Sequence, residues 1–128
     1  MCALYMKGHQ IGEAAAIHVE ELAKHDLILM APGSNARRIV DLAFASEGRI
    51  AVPACEASYM STAVGMVQAG LGVAILPMSG FNPRTDVRLE ARPIEALEFR
   101  RTIAVVRLKR KTLSPAADAF SAFLFQES

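Results

Sequence analysis

The chain has 128 residues, enough for one modest core or two small lobes sharing a seam, and a formal charge of +1 built from well-mixed acids and bases. That balance points away from nucleic acid or an acidic membrane as a direct partner, and 6% aromatic residues with no tryptophan exclude base-stacking platforms. A 52% hydrophobic composition with mean hydropathy of +0.27 instead fits strands buried on both faces, or a surface that meets other protein.

In chain order, Ala3 to Met6 reads as the end of a strand, His9 to Ile17 as a loop, and His18 to Lys24 as a short helix whose Glu20 and Glu21 suit a first turn. Leu27 to Met30 is a buried strand stopped by Pro32-Gly33. Ser34 or Asn35 caps the next helix, in which Ile39, Val40, Ala43 and Phe44 form the inward face and Gly48 marks the end. Ile50-Ala51-Val52 reads as a third short strand. The spacing of Met60, Val64, Val67 and Leu71 predicts an apolar helical stripe, with Gly70 at a corner where positive φ is needed. Gly72 to Leu76 is a short apolar run closed by Pro77, the pattern of a buried strand. A turn-rich loop over Gly80 to Asp86 leads to an edge strand at Val87-Arg88-Leu89. A longer strand follows at Thr102 to Val106, and a last helix is opened by Ser114-Pro115.

Alternating strands and helices imply an α/β fold with a parallel sheet, forming one lobe from about His9 to Leu97. The last helix carries Leu113, Ala117, Phe120, Phe123 and Leu124 on one stripe. Each buried aromatic of this kind is worth roughly 1.5–3 kcal/mol, so the stripe is expected to find cover on a second lobe, its own lobe or a second chain. A dimer with exchanged terminal helices is the expected form.

The most apolar stretch, Val64 to Met78, is interrupted by Gln68, Gly70 and Gly72 and falls short of the roughly 20 residues a membrane span requires. No basic start, apolar run and small-residue cleavage site is visible, so a cytoplasmic location is expected. Cys2 and Cys55 read as free thiols, and the histidines at 9, 18 and 25 match no zinc spacing, so no metal is expected. There is no nucleophile elbow, no phosphate-binding loop and no dinucleotide fingerprint, so neither catalysis nor a cofactor is indicated. Arg107 to Lys111 reads as a solvated turn, and Arg37 and Arg38 as an exposed helix face.

The pattern Glu56-x-Ser58, followed by Met66-Val67-Gln68-Ala69-Gly70-Leu71-Gly72-Val73-Ala74-Ile75-Leu76-Pro77, resembles the effector-binding domain of LysR-type transcriptional regulators. Gly8-His9, Val19 to Leu22, Asp26 to Ile28, Gly33-Ser34 with Arg37, and Leu113 to Ala117 with Phe120 extend the resemblance over nearly the whole chain. It implies one lobe of a type 2 periplasmic-binding-protein-like fold. Residues 1–8 would then be a hinge strand from a missing lobe one, 9–98 the effector-binding lobe two, and 99–128 the return hinge strand and terminal helix of lobe one. The hinges would lie near Leu4-Tyr5-Met6 and Ile103-Ala104-Val105. DNA would be contacted only through a winged helix-turn-helix that these residues lack, making the chain a truncated form of the family.

In an open parallel sheet the crevice lies beyond the carboxyl ends of the strands, where helices begin. Two such starts are expected here, Gly33-Ser34-Asn35 and Ala54-Cys55-Glu56-Ala57-Ser58. Free amide N–H groups at both favour an anion, so a small organic carboxylate is the expected effector. Gly33, Ser34, Asn35, Ala54, Cys55, Glu56 and Ser58 are the candidate contacts, against the plainer reading that the polar ones cap their own helices. Glu56 reads as structural and Cys55 as a small residue in a tight loop. The rival readings are a periplasmic solute-binding protein and an enzyme built on the same two-lobed fold.

Overall fold

In the computed structural model, which describes residues 1–96, 99 and 103–126, four consecutive apolar residues form strand β2, Leu27–Met30, buried at every position. It sits inside a five-stranded sheet of order β3-β2-β4-β1-β5, with β1 at Cys2–Met6, β3 at Pro53–Ala57, β4 at Val73–Leu76 and β5 at Leu89–Pro93. Strand β2 pairs parallel with β3 and β4, while β1 runs antiparallel to β4 and β5. The helices are α1 (Val19–Leu22), α2 (Asn35–Ser46), α3 (Met60–Gln68) and α4 (Pro115–Gln126).

Side chains alternate across the pleat, so the two-residue period divides the core into two layers. Ala3, Tyr5, Leu27, Leu29, Val73 and Ile75 face one layer with Val19 and Leu22 of α1 and Ile39, Val40, Ala43 and Phe44 of α2. Leu4, Ile28, Met30, Ala74 and Leu76 face the other, against Ala63 and Val67 of α3. Helices therefore cover both faces, as the continuous apolar runs of β2 and β4 require.

Four expectations are corrected by this arrangement. The third strand is Pro53–Ala57, not Ile50-Ala51-Val52; Ile50 and Val52 are 86% and 73% exposed, and backbone pairing with β2 begins only at Pro53. Proline is tolerated there because it opens an edge strand. The edge strand near Val87 begins instead at Leu89. The Asp86 carboxylate accepts from the Arg88 N–H at 2.9 Å and the Asp86 carbonyl from the Leu89 N–H at 3.0 Å, which holds residues 86–88 in a turn.

Ile103, Ala104, Val105 and Val106 are exposed and form no strand, having no sheet partner among the described residues; Thr102 and Leu97 lie outside those residues. Leu71 is exposed because α3 stops at Gln68, Gly70 turns the chain at φ +76°, and Ala63 takes the inward place beside Val67. Helix α4 forms where Ser114-Pro115 predict it, but Phe120, Phe123 and Leu124 are exposed.

At the end of β1 the loop over His9 to Ile17 contains a 3-10 turn, Gln10–Glu13, capped when His9 Nδ1 accepts from the Ile11 N–H at 3.2 Å. The His25 ring lies 5.1 Å away between centroids, and its Nε2 is 3.1 Å from Glu21, which also holds Lys24 at 2.8 Å. Burial, and then His25, push the His9 pKa below the ordinary value of 6.5. The folded state thus holds this proton less tightly than the unfolded chain. The contribution of neutral His9 is fully present above about pH 6.5 and is lost as pH falls below it. Thermal denaturation between pH 8 and pH 5 is expected to show a smaller acid loss of Tm for His9→Asn, which keeps a capping acceptor but cannot titrate; an unchanged slope would refute this.

Candidate functional site

The parallel pair β2 and β3 delivers its carboxyl ends side by side, with Met30 opposite Ala57. One further bond continues the ladder past the strand ends: the Ala31 N–H donates to the Ala57 carbonyl at 2.9 Å. The loop into α2 and the loop into α3 are thereby tied together at one edge of the sheet. Gly33 turns the first loop at φ +89°, and Ser34 becomes the N-cap of α2, its Oγ accepting from the Arg37 N–H at 3.1 Å. That bond uses an oxygen lone pair and leaves the hydroxyl proton free to donate. Asn35 follows as the first helical residue, and its Oδ1 accepts from Arg38 Nη2 at 2.9 Å. Helix α3 opens without a side-chain cap, since its N-cap residue is Tyr59.

Gly33, Ser34 and Asn35 follow the end of β2 and Ser58 follows the end of β3, whereas the other candidates need correcting. Ala54, Cys55 and Glu56 do not stand at a helix start; they lie within strand β3, and α3 begins only at Met60. Backbone pairing with the fully buried β2 decides this, not the composition of the segment. Ala54 lies near the amino end of its strand, roughly 10 Å back from Ala57 at about 3.3 Å per residue. Cys55 is half-buried and free. Cys2 is buried in β1, its Sγ–H donates to the Leu76 carbonyl at 3.3 Å, and burial pushes its thiol pKa up to about 11, so it stays protonated and unreactive.

Arg37 is expected on an exposed helix face, but its side chain is only 12% exposed. Its Nη1 donates to Glu56 Oε1 at 2.6 Å and to the Met30 carbonyl at 3.2 Å, and its Nε to Asp41 Oδ1 at 3.0 Å. One guanidinium therefore clasps α2, the end of β2 and strand β3. The hydrogen bond that Arg37 donates to Glu56 raises the Arg37 pKa, burial opposes this, and Asp41 adds to the rise, so the group stays charged. A shallow concavity of about 660 Å³ runs beside it along the outer side of α2, from Pro32 to Ala45. The spacing of Arg37 and Asp41 is a readable i,i+4 signal; the contact with Glu56 is not, because only sheet pairing brings those residues together.

His18 Nδ1 lies 2.9 Å from the carbonyl of Glu95, 77 residues on in the sequence. Among the described residues, no three His, Cys, Asp or Glu side chains are grouped to hold a metal ion, and no helix is long and apolar enough to cross a membrane.

The sequence pattern of the LysR substrate binding domain matches residues 1–128. The chain is 28% identical over 127 residues to the transcriptional dual regulator GltC of Bacillus subtilis (strain 168), covering 97% of this chain and 41% of that protein. The chain thus spans about two fifths of the length of this curated relative. Among solved structures, the effector binding domain of QuiR in complex with shikimate superposes with a TM-score of 0.72 at 20% identity, over 98% of this chain and 59% of that one. The BenM effector binding domain with its effector benzoate gives a TM-score of 0.63 at 19% identity, over 75% of this chain and 45% of that one. At such identities these structural likenesses speak for the fold alone.

Proposed function

We propose, proceeding from the fact that this chain belongs to the LysR substrate-binding domain family, that its rim at Gly33, Ser34, Asn35 and Ser58 binds the carboxylate of a small organic effector. The observation carrying this reading is the tie from Ala31 to Ala57, which joins the loop leading into α2 to the loop leading into α3 at the carboxyl ends of parallel strands. Apart from the Arg37 N–H, which the Ser34 hydroxyl oxygen takes, first-turn N–H groups are unspent donors there, and each helix start favours an anion by about 0.3–1 kcal/mol when exposed. The Ser34 hydroxyl proton adds a directed donor. Shikimate and benzoate, the compounds named with the QuiR and BenM domains, are both small carboxylates, which supports the same ligand class.

In this reading residues 9–98 form one wall of an interlobe cleft, and residues 1–8 and 99–128 lead to a second lobe through hinges at Leu4-Tyr5-Met6 and Ile103-Ala104-Val105. Effector binding shifts the lobe-to-lobe equilibrium by its difference in affinity for the two arrangements. That shift modulates how a dimer presents its DNA-binding heads, which lie outside these residues. The regulator works in the cytoplasm and catalyses nothing.

Amide-resolved NMR of the 15N-labelled chain, titrated with benzoate and separately with neutral benzamide, tests the ligand class. Benzoate is expected to move the amide signals of Gly33 to Arg37 and Ser58 to Ser61, and benzamide to move them far less. Equal responses, or benzoate shifts scattered over the surface, would overturn the reading. Ser34→Ala removes both a cap and a donor. It is expected to cost about 1 kcal/mol of stability and to weaken benzoate binding several-fold; a stability loss with unchanged affinity would remove Ser34 from the site.

A further inference from the structure

Resting on the carboxylate reading above, we propose that Arg37 is a positioning residue that makes the rim selective for anions by holding the Glu56 carboxylate out of the charge balance a ligand meets. Glu56 is the only acidic residue in segments 30–37 and 53–63, which build the rim. Its side chain is 40% exposed and projects from the strand position next to Ala57. Left unpaired, it would set a negative charge beside the place where an anion is to bind. In the fold it is met by Arg37 Nη1 at 2.6 Å, while the same nitrogen holds the Met30 carbonyl at 3.2 Å.

The clasp crosses from helix to strand and does more than pair neighbours on one helix. Asp41 takes the Nε donor at 3.0 Å, which orients the guanidinium from the far side and leaves Nη1 for the strand. Removing Arg37 would therefore do two things at once. It would free the Glu56 charge and loosen the seam between α2 and the β2–β3 pair. The first effect acts on charged ligands only, whereas the second acts on any ligand of the same shape. That difference separates an electrostatic role from a merely structural one.

Titration of the full chain with benzoate and benzamide, followed by the rim amide signals, distinguishes them. Arg37→Gln is expected to weaken benzoate binding roughly fivefold to tenfold at low salt, with a clearly smaller loss for benzamide. Adding Glu56→Gln to that variant is expected to recover most of the benzoate affinity, because the repelling charge is gone. If Arg37→Gln fails to fold, Glu56→Gln alone carries the test, since it leaves Arg37 in place and should tighten benzoate roughly threefold or more while leaving benzamide unchanged. Equal losses for both probes in Arg37→Gln, no recovery in the double variant, or no tightening in Glu56→Gln would each overturn the proposal while leaving the carboxylate reading standing. A wild-type chain that does not distinguish benzoate from benzamide would overturn that reading, and this inference with it.

Discussion

Gly72→Ala is expected to abolish the cooperative thermal transition of this lobe, or to lower stability by about 4 kcal/mol or more if a transition survives. A Cβ built at position 72 falls well inside van der Waals contact of the Asp26 carbonyl oxygen and 3.0 Å from its carbon. That oxygen cannot swing aside, because it accepts the Val73 N–H at 2.9 Å at the entry of both β2 and β4. The backbone at Gly72 also has φ +145°, a conformation L side chains rarely adopt. Clash and strain therefore fall on the point where the two central parallel strands enter the sheet. Gly70→Ala is the informative control. Gly70 has φ +76° but open space around a would-be Cβ, so only the left-handed penalty of about 1–2 kcal/mol applies. Urea denaturation of both variants checks this. Similar losses at the two positions would show that the approach to Asp26 is not the governing term.

Contrast between these glycines also explains what could be read from the chain unaided. Gly70 is legible because it stands between a helical stripe and an apolar strand-like run, and positive φ where a helix ends is a local requirement. The contact of Gly72 with Asp26 joins residues far apart in sequence, so no spacing announces it. The same division holds for the strands. Leu27–Met30 and Val73–Leu76 are apolar runs bounded by turn residues, and their burial on both faces is written in their composition. Pro53–Ala57 contains no β-branched residue and becomes a strand because β2 offers it an edge. Ile50 and Val52 have the composition of a strand but no partner.

The site divides in the same way. Ser34 as a cap follows from its place between Pro32-Gly33 and an apolar helical face, and the structure puts its hydroxyl in that role. Gly33, Ser34 and Asn35 follow the end of β2 and Ser58 the end of β3, positions legible from the rule that helices begin where parallel strands end. The misplacement of Ala54, Cys55 and Glu56 follows directly from the misplaced strand. Once Glu56 is seen to stand on β3 opposite Leu29, Arg37 acquires a partner 19 residues away that no helix periodicity could supply. Tertiary pairing, rather than local propensity, determined β3 and the partner of Arg37.

Phe44→Ala should be the second most damaging change, costing about 3–5 kcal/mol. The ring is 1% exposed and lies in the layer that joins α2 to Leu27, Leu29, Val73 and Ile75 of the sheet. Deleting it removes apolar contact and leaves a cavity, since the backbone on either side is fixed. Its own carbonyl accepts the Arg49 N–H at 2.9 Å and the Glu47 N–H at 3.1 Å, closing the end of α2. Phe44→Leu keeps much of the volume and should lose well under half as much. Phe120→Ala in α4 supplies the opposite control, because that ring is 62% exposed and outside both core layers. Its removal should change stability by no more than about 0.5 kcal/mol in the monomeric chain. The paired result matters for the site as well as the core: α2 carries Ser34, Asn35 and Arg37, so a helix loosened at Phe44 should release the rim. Hydrogen exchange is expected to quicken at the Arg37 amide in Phe44→Ala and to stay unchanged in Phe120→Ala. A large stability loss from Phe120→Ala would instead show that α4 is covered in solution, as a helix exchanged between two chains would be.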